Sequence, residues 1–210
     1  MALRNPSLDD AITAAAMQEF LSEGYTNASL RRIAQKAGAT VGAIQTRYAS
    51  KDALFVSLVQ PFLRDIETTF QAVKADYYAD TGADLPSQLK ASMQRESEAI
   101  LRLIFAHYDE AMLFFYRSAG SSLEHAFDAI VKRKIDESVA FFRRAGCTDV
   151  DEHVLELLLS AQFDSYRRII LTCPDRGSAE GCMSALMTYH FGGWVALFDS
   201  IRLTRKEDET

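Results

Sequence analysis

Within eight consecutive positions, Thr40 to Arg47, the chain sets compact residues (Thr40, Val41, Gly42 and Ala43) before three that offer hydrogen-bond donors: Gln45, Thr46 and Arg47. On a short helix this arrangement lets the N-terminal end enter a groove about 12 Å wide, the major groove of duplex DNA. Gln45 can pair with adenine in bidentate fashion, and Arg47 can pair with guanine or a phosphate. Charge supports this reading. From Gly24 to Lys51 the charged residues are Arg31, Arg32, Lys36, Arg47 and Lys51, with no Asp or Glu, in a chain whose net charge is −6. A local basic block on an acidic protein is the expected footprint of a small DNA-facing surface.

Such a helix needs elements to hold it. Ile12, Ala15, Ala16 and Phe20 fall at helical spacing and predict a first helix over 8–23, stopped by Gly24. Ser29 precedes a short second helix with inner residues Leu30, Ile33, Ala34 and Ala37, and Gly38 suits its left-handed end. Thr40 caps a third helix over 41–48, which faces inward through Ile44 and Tyr48. Two short helices joined by a glycine-containing turn are the local requirement of a helix-turn-helix. Ser50 caps a longer helix from Lys51 to about Asp80, with Pro61 as a kink.

The rest of the chain reads as helices. Pro86 opens one reaching about His107, and another covers 109–119. Ser121 and Glu124 form a capping box predicting a helix to about Ala145. Asp149 and Glu152 open the next, and Ser178 caps a last one ending near Arg202. The fold class is therefore all-α with about nine helices: a helix-turn-helix domain over 1–51, and a ligand-binding and dimerisation domain over 52–210.

Catalysis finds no support. No Ser-His-Asp order, glycine-rich phosphate loop or paired carboxylates are present. His107, Asp109 and Glu110 do not make a metal set, Cys147, Cys173 and Cys182 lack paired spacing, and no cofactor is implied. Gly181 to Phe198 lacks Asp, Glu, Lys and Arg but carries Ser184, Thr188 and His190. It reads as a largely buried helix and not a membrane span, so a cytoplasmic protein is expected.

The head resembles the tetracycline-repressor (TetR) family of bacterial transcriptional regulators. The resemblance rests on Ala15-Ala16, Phe20, Gly24-Tyr25, Ser29, Ile33-Ala34, Ala37-Gly38, Gly42 and the run Tyr48 to Leu54. It implies that Arg31 reaches a base edge or phosphate and that Thr40 meets phosphate at the start of the third helix. It also implies that Val41, Gly42, Ala43 and Thr46 face the groove and that Lys51 contacts phosphate. Gln45 and Arg47 stand where the family more often has aromatic residues or histidine, which leaves open which of Gln45, Thr46 and Arg47 reads the bases. Arg47→Ala and Lys51→Ala are expected to weaken DNA binding with the fold intact.

In the body, Gln162 and Tyr166 lie four apart on a leucine-bearing face, and with Met93 and Tyr116 they are the candidate lining of an effector pocket. Met187, His190, Phe191, Trp194 and Phe198 are the candidate dimer interface. The expected partners are a palindromic double-stranded DNA operator, an unidentified small-molecule effector and a second copy of the chain. The alternatives are a ligand-independent architectural DNA-binding protein and a helical small-molecule carrier with no DNA role.

Overall fold

The computed structural model describes residues 6–79, 84–144, 151–173 and 175–208. Among them are nine helices and no strand: α1 Pro6–Asn27, α2 Leu30–Lys36, α3 Val41–Gln45, α4 Lys51–Ala79, α5 Leu85–Ala106, α6 Tyr108–Tyr116, α7 Ala126–Arg144, α8 Glu152–Thr172 and α9 Arg176–Asp208. The Gly146 stop and the Asp149 cap fall outside the described residues, as does Cys147. No helix among the described residues is long and apolar enough to cross a membrane, and no cluster of three potential metal ligands occurs among them.

The chain divides into two compact units. One contains α1 to α3, α4 as far as Asp65, and the segment Ala106–Phe127; the other contains α4 from Ile66, α5 to Phe105, and the chain from Asp128 onward. The head unit thus includes α6, far away in sequence. Its core is built from Ile12, Phe20, Ile33, Ile44, Phe55, Phe62 and Phe114, each almost wholly buried. Phe20 meets Phe55 edge-on at 5.0 Å, and Phe62 meets Phe114 at 5.9 Å.

Backbone bonds tie α6 to the end of α1. The Tyr25 amide donates to the Arg117 carbonyl at 2.9 Å, and the Thr26 hydroxyl donates to the Ala119 carbonyl at 2.7 Å. Gly120 makes this approach possible. Its φ is +85°, and a Cβ there would lie 2.7 Å from Thr26 Oγ1.

Expected boundaries move at α7 and at α9. Ser121 and Glu124 do not open α7, because Glu124 accepts from the Gly120 amide at 3.1 Å and the Ser121 hydroxyl accepts from the Leu123 amide at 3.1 Å. The pair therefore closes a turn, and α7 starts at Ala126. At α9, Asp175 takes the Ser178 amide at 2.9 Å, so the helix begins before Ser178, and it continues to Asp208, past Arg202.

In the body unit, Leu89, Met93, Leu101, Val139, Phe142, Leu155, Leu159, Phe163, Ile169, Met183, Met187, Trp194 and Phe198 share one apolar core. Phe142 packs against Trp194 at 5.4 Å and against Phe198 at 4.9 Å.

Candidate nucleic-acid interface and effector cavity

Helix α2 is locked to α1 by a buried acid. Glu19 is 1% exposed and accepts from Arg32 Nε at 2.5 Å, Lys36 Nζ at 3.0 Å and the Ser29 amide at 3.2 Å. Arg32 and Lys36 are therefore cross-links between helices. Ser29 serves α2 through its amide, with no side-chain cap bond. Burial alone would raise the Glu19 pKa, but the bonds from Lys36, Arg32 and Ser29 outweigh it and hold the group below its ordinary 4.5.

Because the folded state holds that proton less tightly than the unfolded chain, Glu19 stabilises the head fully above about pH 4.5. The contribution disappears as pH falls through the lower folded value. Melting temperatures recorded on descending pH should fall more steeply for the wild type than for Glu19→Gln. Parallel curves would remove Glu19 as the cause.

Thr40 caps α3 as expected: its Oγ1 accepts from the Ala43 amide at 3.0 Å. Gly38, at φ +63°, ends the preceding turn. Ile44 is fully buried, whereas Tyr48, beyond the end of α3, is half-buried. The outward surface carries Gly42, Gln45 and Thr46, with Val41 and Ala43 half-buried beside them and Arg31 exposed on α2. The Thr46 hydroxyl donates to the Gly42 carbonyl at 2.8 Å, and the residue remains exposed.

Arg47 and Lys51 are placed differently from the expectation of simple outer-face cations. Arg47 Nε pairs with Asp9 on α1, a second nitrogen donates to the Ala43 carbonyl at 3.0 Å, and the side chain is 14% exposed. Lys51 Nζ donates to the carbonyls of Tyr25 at 2.8 Å, Thr26 at 3.3 Å and Ala28 at 3.3 Å. It also lies 4.4 Å from the centre of the Tyr25 ring. Both cations brace the end of α3 and the start of α4 against α1. Substituting either is expected to perturb the head itself as well as any contact with DNA.

In the body unit, Met93 and Gln162 line a cavity of about 90 Å³ together with Phe142, Phe163 and Trp194. Gln162 is 4% exposed, and its Oε1 accepts from Trp194 Nε1 at 2.9 Å, so its partner is the indole. Tyr166 is buried beside the same core, with its hydroxyl 3.3 Å from Met187 Sδ; burial and the nearby Glu96 charge push its pKa upward. Tyr116 belongs to the head unit and does not line this cavity. A larger cavity of about 390 Å³ lies between α5 and α9, bordered by Lys90, Gln94, Glu98, Glu180, Ser184 and Thr188.

The Gln162–Trp194 bond has a direct test. Gln162→Leu leaves a buried indole N–H without an acceptor and is expected to destabilise the fold by about 1–3 kcal/mol. Trp194 is the only tryptophan, so its emission maximum and the thermal midpoint should move together. An unchanged midpoint would refute the role.

Met187, Trp194 and Phe198 are each no more than 8% exposed within their own chain, and His190 and Phe191 are half-buried. This stripe of α9 seals the core, which leaves little of it for a second subunit. The faces left open are others. On α8, Leu157 is 58%, Leu158 42% and Leu171 53% exposed; on α9, Tyr189 is 76% exposed. Gly181, Cys182, Ala185, Gly192, Gly193 and Ala196 lie open on the same side of α9 as Tyr189. Sequence reasoning set the dimer interface on the last two helices but chose Met187, His190, Phe191, Trp194 and Phe198 and not these open residues, although the leucine run Leu157-Leu158-Leu159 exceeds what one inward stripe can hold.

A capped, outward-facing third helix on a basic head, followed by an all-helical body, defines a helix-turn-helix regulator architecture. Residues 12–58 match the family model described as bacterial regulatory proteins, tetR family; the head carries that family's signature and the chain has the TetR-like fold. No curated protein matches the sequence. Similar solved structures include a TetR-like transcriptional regulator from Rhodococcus sp. RHA1, at 20% identity, TM-score 0.62, covering 92% of this chain and 98% of that one. The fatty acid degradation regulator FadR from Bacillus halodurans is 17% identical, with TM-score 0.59 and coverage of 91% and 97%. NalD from Pseudomonas aeruginosa, the secondary repressor of the MexAB-OprM multidrug efflux pump, is 20% identical, with TM-score 0.57 and coverage of 90% and 98%.

Proposed function

We propose that the protein is a dimeric transcriptional repressor that reads a palindromic operator through α3 and releases it on binding a small molecule in the body unit. The observation that carries the reading is the exposed surface of α3, where Gly42, Gln45 and Thr46 project from a helix held on its inner side by fully buried Ile44. Gln45 is the principal base reader, matched to adenine, and Thr46 adds an acceptor oxygen and a methyl for thymine. Val41 and Ala43 supply close apolar contact. Arg31 and Thr40 lie beside this surface as backbone contacts, whereas Arg47 and Lys51 act chiefly by fixing the angle at which α3 is presented.

The dimer forms through the open faces of α8 and α9. Leu157, Leu158 and Leu171 supply apolar area, while the small residues of α9 allow close helix approach in a two-fold four-helix packing. Two copies of α3 then stand about 34–36 Å apart, one DNA turn. Helix α4 is continuous from Lys51, at the edge of the head, to Ala79. An effector that binds one setting of this helix more tightly than another shifts the DNA affinity; equal binding to both shifts nothing.

Selection of bound duplexes from a random pool should return an inverted repeat with half-sites about 10 base pairs apart, centre to centre. Recovery of a single asymmetric site, or of no motif, would contradict the dimeric reading.

A further inference from the structure

The basic block that marks the head in sequence is largely answered by acids of α1. Of its cations, Arg32 and Lys36 are held by Glu19 and Arg47 is held by Asp9. Glu19 works inside the core, but Asp9 works at the reading helix. It stands in the first turn of α1, and its carboxylate takes the Arg47 Nε–H. The guanidinium is folded back along α3, where a second nitrogen donates to the Ala43 carbonyl at 3.0 Å, within the surface assigned to base contact. Arg47 is 14% and Asp9 21% exposed, so the pair is shielded but reachable. An arginine beside a DNA-facing helix would attract phosphate whatever the sequence of the duplex. Here its charge is cancelled and its donors are engaged.

Resting on the reading of α3 as the DNA-reading helix, we propose that Asp9 is a specificity-determining residue that acts through Arg47. By holding the guanidinium against α3 it withholds a sequence-independent phosphate contact and fixes the helix that carries Gln45 and Thr46. Phosphate contacts strengthen every duplex, whereas base contacts discriminate. Releasing Arg47 therefore favours unrelated DNA most. The operator gains the same attraction but loses the fixed presentation of α3.

The test titrates the full-length protein with an operator duplex selected from a random pool and with an unrelated duplex, each across a salt series. Asp9→Asn keeps an acceptor oxygen and removes the charge. It should raise affinity for the unrelated duplex roughly five- to tenfold at low salt and steepen the salt dependence by about one unit per head. The ratio of operator to unrelated affinity should fall. Arg47→Ala leaves the Asp9 charge bare beside the phosphates, so it should weaken binding to both duplexes, the opposite sign. The double variant should return the salt dependence close to that of the wild type. Asp9→Glu keeps the charge and should keep the discrimination. Asp10→Asn makes the same change of charge one position along and should leave discrimination intact, which separates the contact from net charge. Thermal midpoints are recorded for each variant. A brace with no other role would lower operator affinity in both Asp9→Asn and Arg47→Ala and raise unrelated binding in neither; that result, or Asp10→Asn matching Asp9→Asn, would overturn the proposal. A wild-type protein with no salt-sensitive binding to any duplex would refute the reading of α3, and the proposal with it.

Discussion

Leu157→Glu is expected to convert the dimer to a monomer and to cut operator affinity by roughly a hundredfold or more. The second half-site contact is then no longer an intramolecular event, and gains of that order are lost when two linked sites separate. Leu157 is 58% exposed in the chain, so the change leaves the subunit core intact while placing a charge where two apolar faces meet. The comparison with Trp194→Ala sharpens the point. Trp194 is 4% exposed, and its truncation should cost about 3–5 kcal/mol of subunit stability without specific loss of dimer among the molecules that remain folded. Light scattering after size-exclusion chromatography, paired with DNA titration, distinguishes these results. A Leu157→Glu protein that stays dimeric and binds at full strength would place the interface elsewhere.

The second large effect concerns Lys51. Lys51→Ala strips a charged donor from three carbonyls and a cation from the Tyr25 ring. Together these contacts are worth about 2–3 kcal/mol of head stability. Operator binding should fall as well, because the start of α4 and the end of α1 are no longer held together. Gln45→Ala should behave in the opposite manner. It should lose about 1–3 kcal/mol of specific affinity, tenfold or more, with an unchanged melting temperature. Loss of DNA binding by Lys51→Ala with no change in its thermal midpoint would instead support a direct phosphate contact as the residue's main role.

The head was legible because its signals are local. The Thr40 cap acts three residues away, Gly38 adopts the positive φ its place in the turn requires, and Ile33, Ile44 and Phe20 follow helical periodicity into one core. What periodicity does not reveal is pairing across distance. Asp9 and Arg47 are 38 positions apart, and Lys51 reaches carbonyls 23 to 26 positions upstream, so outward-looking cations turned out to be braces. Arg32 and Lys36 likewise converge on Glu19, an acid set inside the apolar face of α1.

The body was less legible for a different reason. A helix with apolar or small residues on most sides, such as α9, has no single phase to mark its inner face. Trp194 and Phe198, expected at a subunit interface, instead pack against Phe142 of α7. Glu96 and Lys134 lie on separate helices, α5 and α7, and only the packing of the two joins them at the cavity.

The most direct test of the central claim is fluorescence-anisotropy titration of the duplex immediately upstream of the protein's own gene, repeated across a salt series. The account predicts tight binding to an inverted repeat there, with affinity falling steeply as salt rises, since neutralised phosphates release counterions, and with Gln45→Ala weaker at every salt concentration. Weak binding that is equal on unrelated duplexes and indifferent to Gln45→Ala would contradict it.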